Sequence, residues 1–225
     1  CSYIPNTASS AFYGLTEELN NLCDRIKTDK ILKAGQDITR DELQQIFKLK
    51  PRVEKVAVKD IKLRTFITQD SQRNDLVAHV YDVTYGTVRR GIDNLVVLDD
   101  SFVRGTTLKK SIIRMLDRLG PKKIVVASSA PQIRYPDCYG IDMAKITDFI
   151  AFTATIELLK DTRQENALNE VYKKCKAQEH LPKEQMVNYV KEIYDLFTPE
   201  QISAKIAELV TPPGCKAEIA VVFQT

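Results

Sequence analysis

Two short apolar runs organise the hydrophobic pattern of this chain. Leu95-Val96-Val97-Leu98 predicts a buried strand, and residues 123–128 predict a second. Between them, residues 108–119 carry apolar side chains at helical spacing and are closed by Gly120. Strand, loop, helix and strand in that order predict a right-handed crossover and a parallel sheet. Tyr3 and Ile4 read as a strand stub. Residues 9–23 predict a helix with Ala11, Phe12, Leu15, Leu19 and Leu22 on its apolar side. A further helix is expected over residues 41–49, opened by Thr39, and residues 53–58 alternate as a half-buried strand does. Beyond Asp148, residues 149–159, 164–175, 183–197 and 199–209 predict helices. Thr198-Pro199-Glu200-Gln201 supplies a capping box with proline in the first turn. Pro212-Pro213-Gly214 breaks that helix, and residues 218–224 return as a strand. The class is α/β, an open and mostly parallel sheet flanked by helices, with ligands expected at the C-terminal ends of the strands.

Composition narrows the range of functions. At 225 residues the chain can bury a substantial core, as one large domain or one domain with an appendage. A net charge of +3, dispersed along the sequence, gives no reason to expect a nucleic-acid partner. No segment approaches a membrane span and no signal-peptide pattern opens the chain, so a cytoplasmic location is expected. Cys1, Cys23, Cys138, Cys175 and Cys215 are widely spaced, without a Cys-x-x-Cys pair, and read as free thiols. His79 and His180 stand in polar surroundings without ligand spacing and read as surface residues.

The candidate chemistry follows the first strong strand. Asp99-Asp100-Ser101-Phe102-Val103-Arg104-Gly105-Thr106-Thr107 places two acids at the strand end and a small, hydroxyl-rich segment where a helix opens. Carboxylates there can accept hydrogen bonds from vicinal ribose hydroxyls. The helix opening offers backbone N–H groups and a favourable dipole to an anion. That order suits a sugar phosphate. No Gly-x-x-x-x-Gly-Lys-Ser/Thr phosphate loop occurs. The run resembles the phosphoribosyl pyrophosphate (PRPP) loop of type I phosphoribosyltransferases. Ile4-Pro5-Asn6-Thr7-Ala8-Ser9-Ser10 is similar to the pyrophosphate loop of the glutamine amidophosphoribosyltransferases. Lys59 with Arg64-Thr65-Phe66-Ile67 looks like the stretch leading into that family's flexible loop. Ser128-Ser129-Ala130-Pro131-Gln132-Ile133-Arg134-Tyr135-Pro136 and Tyr139-Gly140-Ile141-Asp142-Met143 are similar to its segment after the next strand.

The resemblance implies a type I phosphoribosyltransferase fold, with residues 1–159 as its core and 24–50 as an insertion. Residues 160–211 would form a helical extension and 212–225 the returning strand. The implied reaction is displacement of pyrophosphate from Mg-PRPP by ammonia, giving 5-phosphoribosylamine, the first committed step of purine synthesis. Asp99 and Asp100 would hold the ribose hydroxyls and metal, and Thr7 would face the metal from the pyrophosphate side. Ser101, Arg104, Gly105, Thr106 and Thr107 would hold the 5′-phosphate. Asn6, Thr7, Ala8 and Ser9 would line the pyrophosphate, with Lys59 and Arg64 as cations beside the leaving group. Mg²⁺ is the implied cofactor. An iron–sulfur cluster is not expected, because the cluster cysteine of some relatives corresponds to Asp137, one place before Cys138. Implied partners are an N-terminal glutaminase domain that releases ammonia from glutamine, other copies of the chain, and purine nucleotides as feedback inhibitors. Such a glutaminase has glycine after its first cysteine, whereas Cys1-Ser2-Tyr3-Ile4-Pro5 runs straight into the pyrophosphate loop, so Cys1 reads as an interior residue of a longer polypeptide.

Two departures leave alternatives open. Relatives carry an acid where Asn6 stands. They are also rich in Arg and Lys through the flexible loop, residues 68–90 here, where Arg73, Arg89 and Arg90 are the main cations. A PRPP-binding regulatory module with weak turnover, and transfer to a nucleobase, are the competing readings.

Overall fold

A computed structural model of the chain describes residues 1–5, 8–59, 81–137 and 143–224. In chain order the elements are β1 (Ser2–Tyr3), α1 (Ser9–Ala34), α2 (Arg40–Phe47), β2 (Ala57–Lys59), β3 (Tyr81–Val83) and β4 (Asn94–Asp99). There follow α3 (Ile113–Asp117), β5 (Lys123–Ser128), α4 (Ile150–Asp161), α5 (Asn166–Ala177), α6 (Lys191–Tyr194), α7 (Pro199–Val210) and β6 (Glu218–Phe223). A π-turn, Leu108–Ile112, leads into α3.

The expected parallel sheet forms. β1, β4, β5 and β6 lie side by side in that order, all parallel. The register sets Leu95 beside Ile124 and Ile124 beside Ile219, and likewise Val97, Val126 and Val221, so apolar rows cross the sheet. Leu95, Val97, Ile124, Val126 and Val221 are buried. They share one core with Leu116 of α3, Ile150 and Ala154 of α4, and Ile202, Ile206 and Val210 of α7. Each such Val, Leu or Ile side chain contributes about 1.5–3 kcal/mol through removal from water. Val171 of α5 and Ile193, Tyr194 and Phe197 join the same core, so α5, α6 and α7 each contribute to it. No helix among the described residues is long and apolar enough to cross a membrane.

Both helix-opening signals in the sequence are realised. The Thr39 side chain accepts from the Glu42 amide while Glu42 reaches back to the Thr39 backbone. Thr198 and Gln201 do the same for α7, with Pro199 in the first turn.

Three segments differ from their sequence-based expectation. α1 continues past Cys23 to Ala34, through residues expected to be polar insertion, and ends at Gly35 with φ +63°. Only Phe12 is buried along it. The remainder is carried by straight-chain helix formers and exposed ion pairs such as Arg25–Glu18 at 2.6 Å. Residues 183–197 form a 3₁₀ turn, Lys183–Gln185, and the single turn of α6 rather than one helix. Ile193, Tyr194 and Phe197 mimic a helical stripe because one turn and the residues after it turn all three inward. Of residues 53–58 only Ala57 and Val58 are strand, as the start of β2, which pairs antiparallel with β3 in a separate two-stranded sheet.

Candidate functional site

β4 delivers Asp99 to the C-terminal edge of the sheet, and Asp100 follows immediately beyond it. Both are half-buried. Their carboxylates fold back on the chain: the Asp100 amide donates to Asp99 Oδ1 at 3.0 Å, and the Ser101 amide donates to Asp100 Oδ1 at 2.9 Å. From the adjacent β5 edge, the Ser129 amide donates to the Asp99 carbonyl at 3.0 Å. The Ser129 hydroxyl donates to the Asp100 carbonyl at 3.1 Å. The acidic pair therefore sits on a backbone held from two strands. Ser129 was missed as a site residue in the sequence, where the signal was only a hydroxyl pair at a strand end.

The loop after the acids is fixed by what it buries. Phe102 is buried and meets Phe223 of β6 edge-on, with ring centroids 5.6 Å apart. The Val103 carbonyl accepts from the Ile150 amide at 2.8 Å, which ties the loop to the start of α4. Arg104 pairs with Asp148 at 3.4 Å. Gly105 has φ +68°, and a Cβ there would meet Val210 Cγ1 at 3.1 Å and Ile150 Cγ1 at 3.2 Å. The first helical bond runs from the Lys109 amide to the Gly105 carbonyl at 2.9 Å. Thr106 and Thr107 are thus exposed at a helix opening, where N–H groups lack intrahelical acceptors. Such an opening, one residue beyond Arg104 and a few beyond two carboxylates, suits a ligand with hydroxyls at one end and an anion at the other.

β1 brings a second loop to the same edge. The Ile4 amide donates to the Leu98 carbonyl at 2.7 Å, so the chain leaves β1 directly beside Asp99. Ala8 is fully buried, and α1 opens at Ser9.

No family model matches the chain. Sequence similarity is found with the amidophosphoribosyltransferase of Escherichia coli, 45% identical over 67 residues, which are 30% of this chain and 13% of that protein. The Haemophilus influenzae protein of the same name is 47% identical over 64 residues, 28% of this chain and 12% of its own. In Schizosaccharomyces pombe the match is 45% over 62 residues, 28% of this chain and 11% of the relative. The chain resembles the amidophosphoribosyltransferases. The match spans about an eighth of the length of these curated relatives. Among solved structures, the glutamine PRPP amidotransferase from B. subtilis complexed with ADP and GMP shares 28% identity at a TM-score of 0.36. That overlap covers 53% of this chain and 26% of the other.

Set against the amidophosphoribosyltransferase pattern, the structure groups some of the expected residues and leaves others aside. Ala8 and Ser9, Asp99 and Asp100, and residues 101–107 gather where neighbouring strands β1 and β4 end. Asn6, Thr7, Arg64, Arg73, His79 and Cys138 lie outside the described residues, and Lys59 ends β2. Two cations expected in the flexible loop are engaged elsewhere. Arg89 holds Asp93 at 2.9 Å, and Arg90 Nη2 donates to the Arg118 carbonyl at 3.3 Å. Asp93 immediately precedes β4, so Arg89 is anchored at the opposite end of the strand from Asp99. A cavity of about 760 Å³ also lies apart from the acidic pair, between β6 and α7, with Gln132, Arg134, Ala207 and Val221 in its lining.

Proposed function

We propose that this chain is the phosphoribosyltransferase part of an amidophosphoribosyltransferase and binds Mg-PRPP across residues 99–107. The observation that supports this best is the run from a braced acidic pair at a strand end to a glycine-opened helix. The activity is displacement of pyrophosphate by ammonia to give 5-phosphoribosylamine. In the complete enzyme a glutaminase domain supplies the ammonia. Residues 1–159 are taken as the core and 160–211 as a helical extension packed upon it.

The roles follow from charge. Asp99 and Asp100 hold the ribose hydroxyls and keep negative potential beside the carbon that gains oxocarbenium character as the bond to pyrophosphate breaks. Backbone N–H groups of residues 105–107, with Ser101 and Arg104, hold the 5′-phosphate. That contact changes little during reaction and serves to orient the sugar. Ser9 at the start of α1, with Asn6 and Thr7 before the buried Ala8, faces the departing pyrophosphate. Lys59 and Arg64 add cationic contacts there.

Among the described residues no group of three or more His, Cys, Asp or Glu side chains could hold a metal. Two half-buried carboxylates fit magnesium nonetheless, since that ion takes one or two carboxylates and completes its shell from substrate phosphates and water. Asp99, Asp100 and Thr7 would hold it, and when bound it would neutralise charge on the leaving pyrophosphate.

Calorimetry with Mg-PRPP tests the reading. The unsubstituted chain is expected to bind, and Asp99→Asn/Asp100→Asn to lose most of that affinity while melting at nearly the same temperature. Equal affinity in the double variant would remove the ligand from this edge. Ammonia-dependent release of pyrophosphate then separates the transferase from a binding module.

A further inference from the structure

The first residues of the loop after β5, 129–134, are fastened in two places, one of them the acidic pair. Ser129 holds Asp99 and Asp100 through their carbonyls, the second by its side chain alone. Farther along, Gln132 Nε2 donates to the Pro199 carbonyl at 2.7 Å and to Ser203 Oγ at 2.9 Å, both at the start of α7. Gln132 Oε1 accepts from Arg134 Nε at 3.0 Å and Nη2 at 2.7 Å. The Arg134 guanidinium lies 5.2 Å from the centroid of the Tyr194 ring, and the Tyr194 hydroxyl donates to the Arg134 carbonyl at 2.8 Å. Tyr194 belongs to α6 and is wholly buried.

We propose that Ser129 is a positioning residue for the acidic pair, and that α6 and α7 brace the loop that carries it. As a statement about substrate, this rests on Asp99 and Asp100 being the PRPP carboxylates. Its physical basis is a single peptide plane. The Asp100 carbonyl that accepts from the Ser129 hydroxyl and the Ser101 amide that donates to the Asp100 carboxylate belong to the same peptide unit. Asp99 is still within the β4 ladder, opposite Ser128, whereas Asp100 lies past its end. Rotation of that one plane would release both contacts and swing the second carboxylate. The Ser129 hydroxyl, one residue past the end of β5, resists that rotation, and the Gln132–Arg134–Tyr194 contacts keep the hydroxyl in place from behind.

The test combines Mg-PRPP calorimetry with amide hydrogen exchange at Ser101. Ser129→Ala is expected to weaken binding about fivefold, the effect of one lost hydrogen bond, and to speed Ser101 exchange with little change in melting temperature. Ser129→Thr keeps the hydroxyl and is expected to retain both. Tyr194→Phe removes only the far hydrogen bond and is expected to give the Ala pattern in weaker form. Unchanged affinity and exchange in Ser129→Ala would overturn the role of Ser129, as would an equal loss in Ser129→Thr. An unaltered Tyr194→Phe variant would overturn the brace. If the unsubstituted chain fails to bind Mg-PRPP, the functional reading fails instead, and exchange at Ser101 alone decides for or against Ser129.

Discussion

Gly105 meets two demands at once, a left-handed backbone and a close approach. Its φ of +68° disfavours any L side chain, and Val210 and Ile150 already occupy the space a Cβ would enter. Gly105→Ala is therefore expected to cost about 1–2 kcal/mol from conformation alone, with a further cost from the contact with Val210. Thermal unfolding of the variant measures it, and a stability equal to that of the unsubstituted chain would contradict the geometry. A helix opening at this point was legible in the sequence, from the small, hydroxyl-rich segment after an acidic strand end, but the left-handed backbone of Gly105 was not. Nor were its packing partners. Ile150 and Val210 come from elements 45 and 105 positions farther along, and no local pattern announces that they converge on Gly105.

At the scale of elements, apolar runs and caps carried most of the readable information. β4 and β5 stand out because four central residues in each are uninterrupted hydrophobics or alanine, and the two capping boxes mark the starts of α2 and α7. What escaped the sequence is interaction at a distance. α1 outlasts its apolar stripe, and Ser129 reaches Asp100 only because β5 is in register with β4. Asp117 is a further case. At the end of α3 its Oδ1 accepts from the Lys216 amide at 3.1 Å and the Ala217 amide at 2.9 Å, fixing the chain as it enters β6. Asp117→Ala would leave both donors without that partner. A loss of about 1.5–3 kcal/mol is expected, the range for hydrogen bonds to a charged group. Denaturant unfolding with an unchanged midpoint would rule out this brace.

For the whole molecule, the end of the sheet opposite Asp99 is closed by charge. Asp93 accepts from the Arg89 amide at 2.8 Å and pairs with the Arg89 and Arg52 guanidinium groups at 2.9 and 2.8 Å. The Arg89 amide and side chain, followed by Arg52, hold the Asp93 carboxyl down at about 2, below the ordinary carboxylate value. A depressed carboxylate stabilises the folded state fully above its unfolded pKa and ceases to as pH falls through its folded value. The melting-temperature gap between the unsubstituted chain and Asp93→Asn should hold steady above pH ~5 and close as pH falls from about 4 toward 2. A gap independent of pH would show that charge contributes nothing there.

The order of the strands also sets a schedule. β1, β4 and β5 are complete once residue 128 has been made, but β5 meets β6 only after everything from residue 129 to residue 217 has been synthesised. Closing so long a connection carries an entropic cost before any ladder bond compensates it. On the ribosome, the outer edge of β5 would therefore stay uncovered until β6 emerges, a long interval in which an apolar strand can meet the wrong neighbour.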